Sequence, residues 1–181
     1  TVAFTAEGDR PEEAFPVFEG DDEVLVLPGS HEWKRWSAGL ALADKRRVAG
    51  EIKWESGGFY GGDLDTLEAR VVVKPWPALS LEVTGERNRG SLPGGEFTQH
   101  LVNGRAEVLF TPDLFLSGLV QYDNESRSLG ANLRLRWTFR PLGDVFVVYN
   151  HNLLRSAAEA GQTWGFDSNQ LLVKVQYAFR F

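Results

Sequence analysis

From Leu171 onward every second residue is apolar, Leu171, Val173, Val175, Tyr177, Phe179 and Phe181, while Leu172, Lys174, Gln176, Ala178 and Arg180 stand between them. Strict period two is the mark of a strand with two unlike faces. The pattern recurs through the chain. Leu133, Leu135, Trp137 and Phe139 alternate with Arg134, Arg136, Thr138 and Arg140, and Leu67, Ala69, Val71 and Val73 with Glu68, Arg70, Val72 and Lys74. Leu79, Leu81 and Val83 oppose Ser80, Glu82 and Thr84. Val48, Gly50, Ile52 and Trp54 oppose Ala49, Glu51, Lys53 and Glu55, and Val102 to Phe110 repeats the rule against Arg105 and Glu107. One parity is greasy and the other carries charge of both signs.

The alternation predicts about ten strands, near 1–7, 32–43, 47–57, 65–75, 79–89, 97–110, 114–125, 128–140, 144–153 and 169–181, with almost no helical period. Alternating segments of roughly ten residues separated by turn residues are what a transmembrane β-barrel requires, because each strand must cross the bilayer at a tilt. The expected fold is therefore all-β: a transmembrane antiparallel up-and-down barrel forming a single domain over 1–181, with about ten strands in this chain.

The connections support that reading. Those at 43–46, 74–78, 111–113 and 140–143 are short, whereas 7–31, 57–64, 88–96, 123–128 and 151–168 read as longer loops. Short turns at one end and long loops at the other are the asymmetry of bacterial barrels. Aromatic residues follow it. Trp36, Trp54, Phe59, Tyr60, Phe97, Tyr122 and Tyr149 fall towards the long-loop ends, and Trp76, Phe110, Phe115, Trp137, Phe139, Phe179 and Phe181 towards the short-turn ends, as two interfacial girdles would.

Composition removes other classes. No apolar run approaches the ~20 residues of a spanning helix. A net charge of -6, with 19 Lys and Arg scattered among 25 acids, lacks the basic stripe of a nucleic-acid binder. There is no cysteine, which removes disulfides and thiolate metal sites, and no methionine, so the expectation is a mature chain or a piece of one.

On this reading Leu133, Leu135, Trp137, Phe139, Leu171, Val173, Val175, Tyr177 and Phe179 face lipid. The lumen is expected to carry Glu51, Lys53, Glu55, Glu68, Arg70, Lys74, Glu82, Arg105, Glu107, Arg134, Arg136, Lys174 and Arg180. Phe181 resembles the aromatic terminus by which barrel-assembly machinery recognises its clients. A soluble β-sandwich is the competing fold. It would turn the charged parity to bulk water, but it gives no reason for loops that differ between the two ends or for aromatics ordered by strand end.

The stretches IKWESGGFYGG, EVTGERNRGSLPGGEFTQHL, LFLSGLVQYDNESRSLGANLRLRWTFRPLGDVFVVYN and LLVKVQYAFRF resemble the carboxyl-terminal barrel domain of an uncharacterised bacterial outer-membrane family, whose members usually carry a carbohydrate-binding-type module in front. The resemblance covers most of 32–181. It implies an outer-membrane location and a chain that is the last part of a larger barrel, and it implies no activity.

Three functions follow in order of expectation: a pore or transport channel for small polar solutes such as sugars, a membrane anchor or structural partner of another outer-membrane protein, and an outer-membrane enzyme. His31, His100 and His151, with Asp63, Asp65, Asp123 and Asp167, fall near long-loop ends, but no spacing fixes a nucleophile with an oriented base. GGDLDTLE at 61–68 lacks the further oxygen ligands of a calcium loop, and the acidic EGDDE at 19–23 is no more than a weak cation candidate. No catalytic residue, metal or cofactor is expected.

Overall fold

The computed structural model describes residues 1–19, 23–158 and 161–179, the side chains of 156–162 excepted. Its main body is one antiparallel sheet of ten strands in sequence order. These are β1 (Val2–Asp9), β4 (His31–Ala41), β5 (Val48–Phe59), β6 (Gly62–Trp76), β7 (Leu79–Leu92), β8 (Gly95–Thr111), β9 (Leu114–Asp123), β10 (Ser128–Arg140), β11 (Gly143–Ala158) and β12 (Gly161–Tyr177). The remaining two, β2 (Phe15–Glu19) and β3 (Glu23–Val26), form a separate hairpin between β1 and β4. The outer edges of the sheet are β1 and β12.

Register turns the alternation of single strands into two continuous faces, because paired residues share a side of the sheet. On one face apolar side chains meet apolar side chains: Phe4 with Trp36, Trp54 with Leu67, Val71 with Val83, Leu135 with Val147, and Val145 with Val175. Many stay exposed, Val71 at 49% and Val175 at 65% among them. Charges enter this face only towards the connections expected to be long, at Glu32, Lys34, Asp63, Asp65, Arg87, Arg89, Glu96 and Arg155. Between these and the residues flanking the short turns, the described part of this face holds no Asp, Glu, Lys or Arg.

The connections differ from expectation. The loop expected at 57–64 shrinks to Tyr60 and Gly61, both at positive φ (44° and 81°), the conformation that lets a two-residue turn follow the twist of its strands. The loop at 88–96 becomes a turn over Pro93 and Gly94 between paired Leu92 and Gly95. The segment 151–168 is mostly strand, β11 and β12 continuing as a ladder with one bulge at Asn152/Leu153. Of the expected long loops, 7–31 keeps its length and contains β2 and β3, and 123–128 stays a connection between paired Asp123 and Ser128. Short polar and glycine-rich stretches read as loops by composition, but ladder pairing satisfies their backbone equally well.

The buried core lies under the β2–β3 hairpin. Phe18, Val24 and Val26 pack with Leu64, Leu92 and Phe97, with Phe15, Val17, Phe59 and Tyr60 around them. Leu64, Leu92 and Phe97 belong to the same face as Glu68, Glu82 and Arg105, so the hairpin lies on the charged side of the sheet. Phe97 covers Gly90, its ladder partner, where a Cβ would stand 2.1 Å from the ring, and it stacks on Phe18 at 5.4 Å. Phe59, Tyr60 and Phe97 thus pack with the hairpin, where an interfacial girdle was expected.

Candidate functional site

The charged face is the part of the molecule with chemistry on it, and it has two unlike halves. Across β4 to β7 cations and anions interleave. Arg35 meets Glu55 at 3.0 Å, Lys53 bridges Glu55 (3.5 Å) and Glu68 (3.2 Å), and Arg70 joins Glu82 (2.7 Å) to Asp44 (3.1 Å) of the β4–β5 turn. Lys74 donates to the backbone oxygen of Asp44. Lys53 and Glu68 are direct ladder partners, whereas Arg70 reaches Glu82 diagonally, so neighbouring strands are cross-tied by charge. Further round, Arg105 lies 3.9 Å from Glu107, and Arg136 bonds Asp144, which also accepts from Thr138. Arg134 and Arg136 both lie over the ring of Phe146. Glu51 and Lys174 share this face. Arg180 and Phe181 lie outside the described residues.

Arg35 is the charge sequence reasoning missed. Its side chain is only 12% exposed and also donates to Thr66 and to the backbone oxygen of Leu64. Adjacent Lys34 and Arg35 in HEWKRWSAG leave the parity of that strand ambiguous. The register settles it by pairing Arg35 with Gly57.

The second half, towards the long-connection end of β9 to β12, is lined chiefly by uncharged polar groups. A cleft of about 760 Å³ is bounded by Gln121, Ser128, Asn132, Asn150, Asn152, Ser168 and Gln170, with Leu119 and Leu154 as apolar flanks and Asp167 as the one carboxylate. Asn132 donates to Asn150, Asn150 to Gln170 (3.4 Å), and Asn152 to Ser168 (3.1 Å). These are ladder partners, so the contacts form rows straight across the strands. Carboxamides at single positions of separate strands carry no motif, and attention to charge passed over them. Their shared parity with Arg134 and Lys174 was the available signal.

The hairpin meets this half at its rim. The backbone N–H of Glu19 donates to Glu125 in the β9–β10 turn, and Gln99 donates to the same carboxylate. At the opposite side Tyr60 donates to Asp9 at 2.6 Å, beyond the uncharged band. That bond and the backbone N–H of Arg10 hold the Asp9 carboxyl below its usual range, while the bond to Asp9 and then burial push the Tyr60 phenol up to about 12.

The histidines are not brought together. His31 bonds the backbone oxygen of Leu27 and packs on Tyr60, His100 sits on the apolar-face parity of β8, and His151 lies between Tyr149 and Phe166 on β11. Asp63 and Asp65 lie near Arg87 and Arg89, and Asp123 caps its own turn through Glu125 and Ser126. Among the described residues no three His, Cys, Asp or Glu gather as metal ligands. Residues 20–22 of the acidic segment lie outside the described residues. Comparison with protein-family models, curated proteins and solved structures found no match to this chain.

Proposed function

We propose that this chain is an outer-membrane β-barrel that carries small polar solutes along its charged inner face. The observation that supports it most is the uncharged apolar face running through all ten strands, opposite a face where cations and anions interleave. An exposed apolar surface of this extent needs a covering, and acyl chains fit a band bounded by charge on one side and short turns on the other.

The stagger of the ladder supports closure of β1 on β12. Partners taken straight across the sheet run Thr1, Gly39, Lys53, Glu68, Glu86, Leu101, Asp123, Ser128, Leu154 and Gly165. The line leaves β1 beside the short turns and reaches β12 near the opposite end. Pairing β1 with the lower part of β12, Val2 against Tyr177 and Asp9 against Gln170, needs a stagger of about twelve residues once the bulge is discounted. Twelve rises of about 3.3 Å over ten spacings of about 4.8 Å correspond to a strand tilt of about 40°, in the middle of the range for barrels. That register also keeps apolar against apolar, Phe4 meeting Val175 and Ala6 meeting Val173.

Two measurements test this. On cell fractionation the protein sediments with outer membranes and needs detergent for extraction; recovery as a monomer without detergent removes the membrane reading. The chain has no cysteine of its own, so Phe4→Cys with Val175→Cys is expected to give an intramolecular disulfide, and Phe4→Cys with Leu171→Cys little. A covalent dimer, or no disulfide in either, overturns closure within one chain.

A second reading has one observation in its favour. A barrel of ten strands is nearly filled by its own side chains, and here the hairpin and the ion pairs occupy half of the inner face. On that reading the chain is a membrane anchor, and planar bilayers containing it stay silent across a range of salts.

A further inference from the structure

The charged face interleaves ion pairs across β4 to β7 and carries a row of carboxamides at the long-connection end of β9 to β12, and this contrast points to a ligand. In the β4–β7 half, fixed charges satisfy each other, as Lys53 does between Glu55 and Glu68, leaving little for a solute to replace. In the cleft at β9 to β12 the situation reverses. Each carboxamide has two N–H donors and an oxygen with two lone pairs. The row Asn132, Asn150, Gln170 spends one donor or acceptor per contact, and the rest of its capacity faces the open cleft.

We propose that this cleft binds an uncharged, hydroxyl-rich molecule of the saccharide class. A hydroxyl both donates and accepts, as does a carboxamide, so vicinal hydroxyls can bridge the two atoms of one amide or span neighbouring amides of the row. Leu119 and Leu154 supply apolar contact for the C–H faces of a sugar ring. An anionic solute finds no Lys or Arg in the lining and is opposed by Asp167, and a cationic one finds that single carboxylate, already accepting from Ser168. The volume lies within the range of small-molecule sites. The hairpin, tied to Glu125, walls the neighbouring part of the same end of the sheet and leaves the cleft open. The inference rests on the transmembrane reading for its setting, since that reading makes this end the mouth of the barrel.

The test is calorimetric titration of the full chain in detergent micelles with maltotriose and cellotriose as uncharged probes, and trigalacturonate as a charged control. Saturable heat is expected with at least one uncharged probe and none with trigalacturonate. Asn150→Leu removes the middle of the row and should weaken binding by about tenfold or more, the loss of one or two hydrogen bonds. Asn103→Leu, on the same face but outside the cleft, should leave it unchanged. Each sample is checked for heat-modifiable gel mobility. Folded protein that binds neither uncharged probe, or that binds equally in wild type and Asn150→Leu, overturns the assignment and leaves the barrel standing. Saccharide binding through Asn150 by a protein that stays soluble without detergent keeps the cleft and overturns the membrane setting.

Discussion

Replacing Val175 by arginine is expected to destabilise folding into lipid vesicles by about 2–4 kcal/mol, while arginine at the next residue, Gln176, changes it by less than about 0.5 kcal/mol. Val175 pairs with Val145 on the uncharged face of β12 and is 65% exposed, so nothing in the sheet would shield a guanidinium there. On the proposed reading its surroundings are acyl chains, and the penalty falls towards either interface. Gln176 pairs with Asp144 on the opposite face, where Lys174 already sits two residues away and Arg136 already bonds Asp144. A further cation meets an anion there. Period two makes the comparison strict, because a slip of one residue exchanges the two faces and inverts the result. The measurement is a urea titration of vesicle-folded protein read by heat-modifiable mobility. Equal losses, or a larger loss at Gln176, would show that the final strand does not lie in a bilayer.

Much of the sheet was legible because charge and apolarity alternate in phase with the backbone. In β10, Leu133 to Phe139 against Arg134 to Arg140 names two faces without reference to any neighbour, and the same holds for β6 and β12. The ends of the strands were not legible. Glycine, serine and asparagine at 57–64, 88–96 and 151–168 serve equally in a loop or at a ladder's end, and pairing with the neighbouring strand decides between them, a contact no local window contains. The hairpin was hidden for a related reason. Val24 and Val26 alternate over only four residues, too short to separate a strand from a polar loop, and their burial depends on Leu64, Leu92 and Phe97 arriving from three distant strands. The carboxamide row posed the same difficulty: Asn132, Asn150 and Gln170 become one feature only through register.

Removing the ring of Phe97 should release the hairpin while leaving the ten-stranded sheet intact. Phe97 is 7% exposed, stacks on Phe18 and covers Gly90, so it joins the hairpin's apolar side to the sheet. A buried phenylalanine cut to alanine costs about 3–5 kcal/mol, and an isolated two-stranded hairpin is at best marginally stable in water. Docking therefore supplies most of what keeps β2 and β3 ordered, and a loss of about 3 kcal/mol raises the undocked fraction by roughly a hundredfold. The bond from Glu19 to Glu125 is exposed and too weak to hold the segment alone. Glutamyl endopeptidase reports the change, since Glu12, Glu13, Glu19 and Glu23 all lie in or beside the hairpin. When undocking is fast compared with cleavage, the cleavage rate follows the undocked fraction, so Phe97→Ala is expected to be cut roughly a hundredfold faster than wild type at these sites. Gly90→Val should act the same way from the other side of the contact, because a side chain there occupies the space of the ring. Cleavage at the wild-type rate in both variants would mean that the hairpin is held by something other than the Phe18–Phe97–Gly90 stack, and cleavage throughout the sheet would mean that the stack supports the ladder itself.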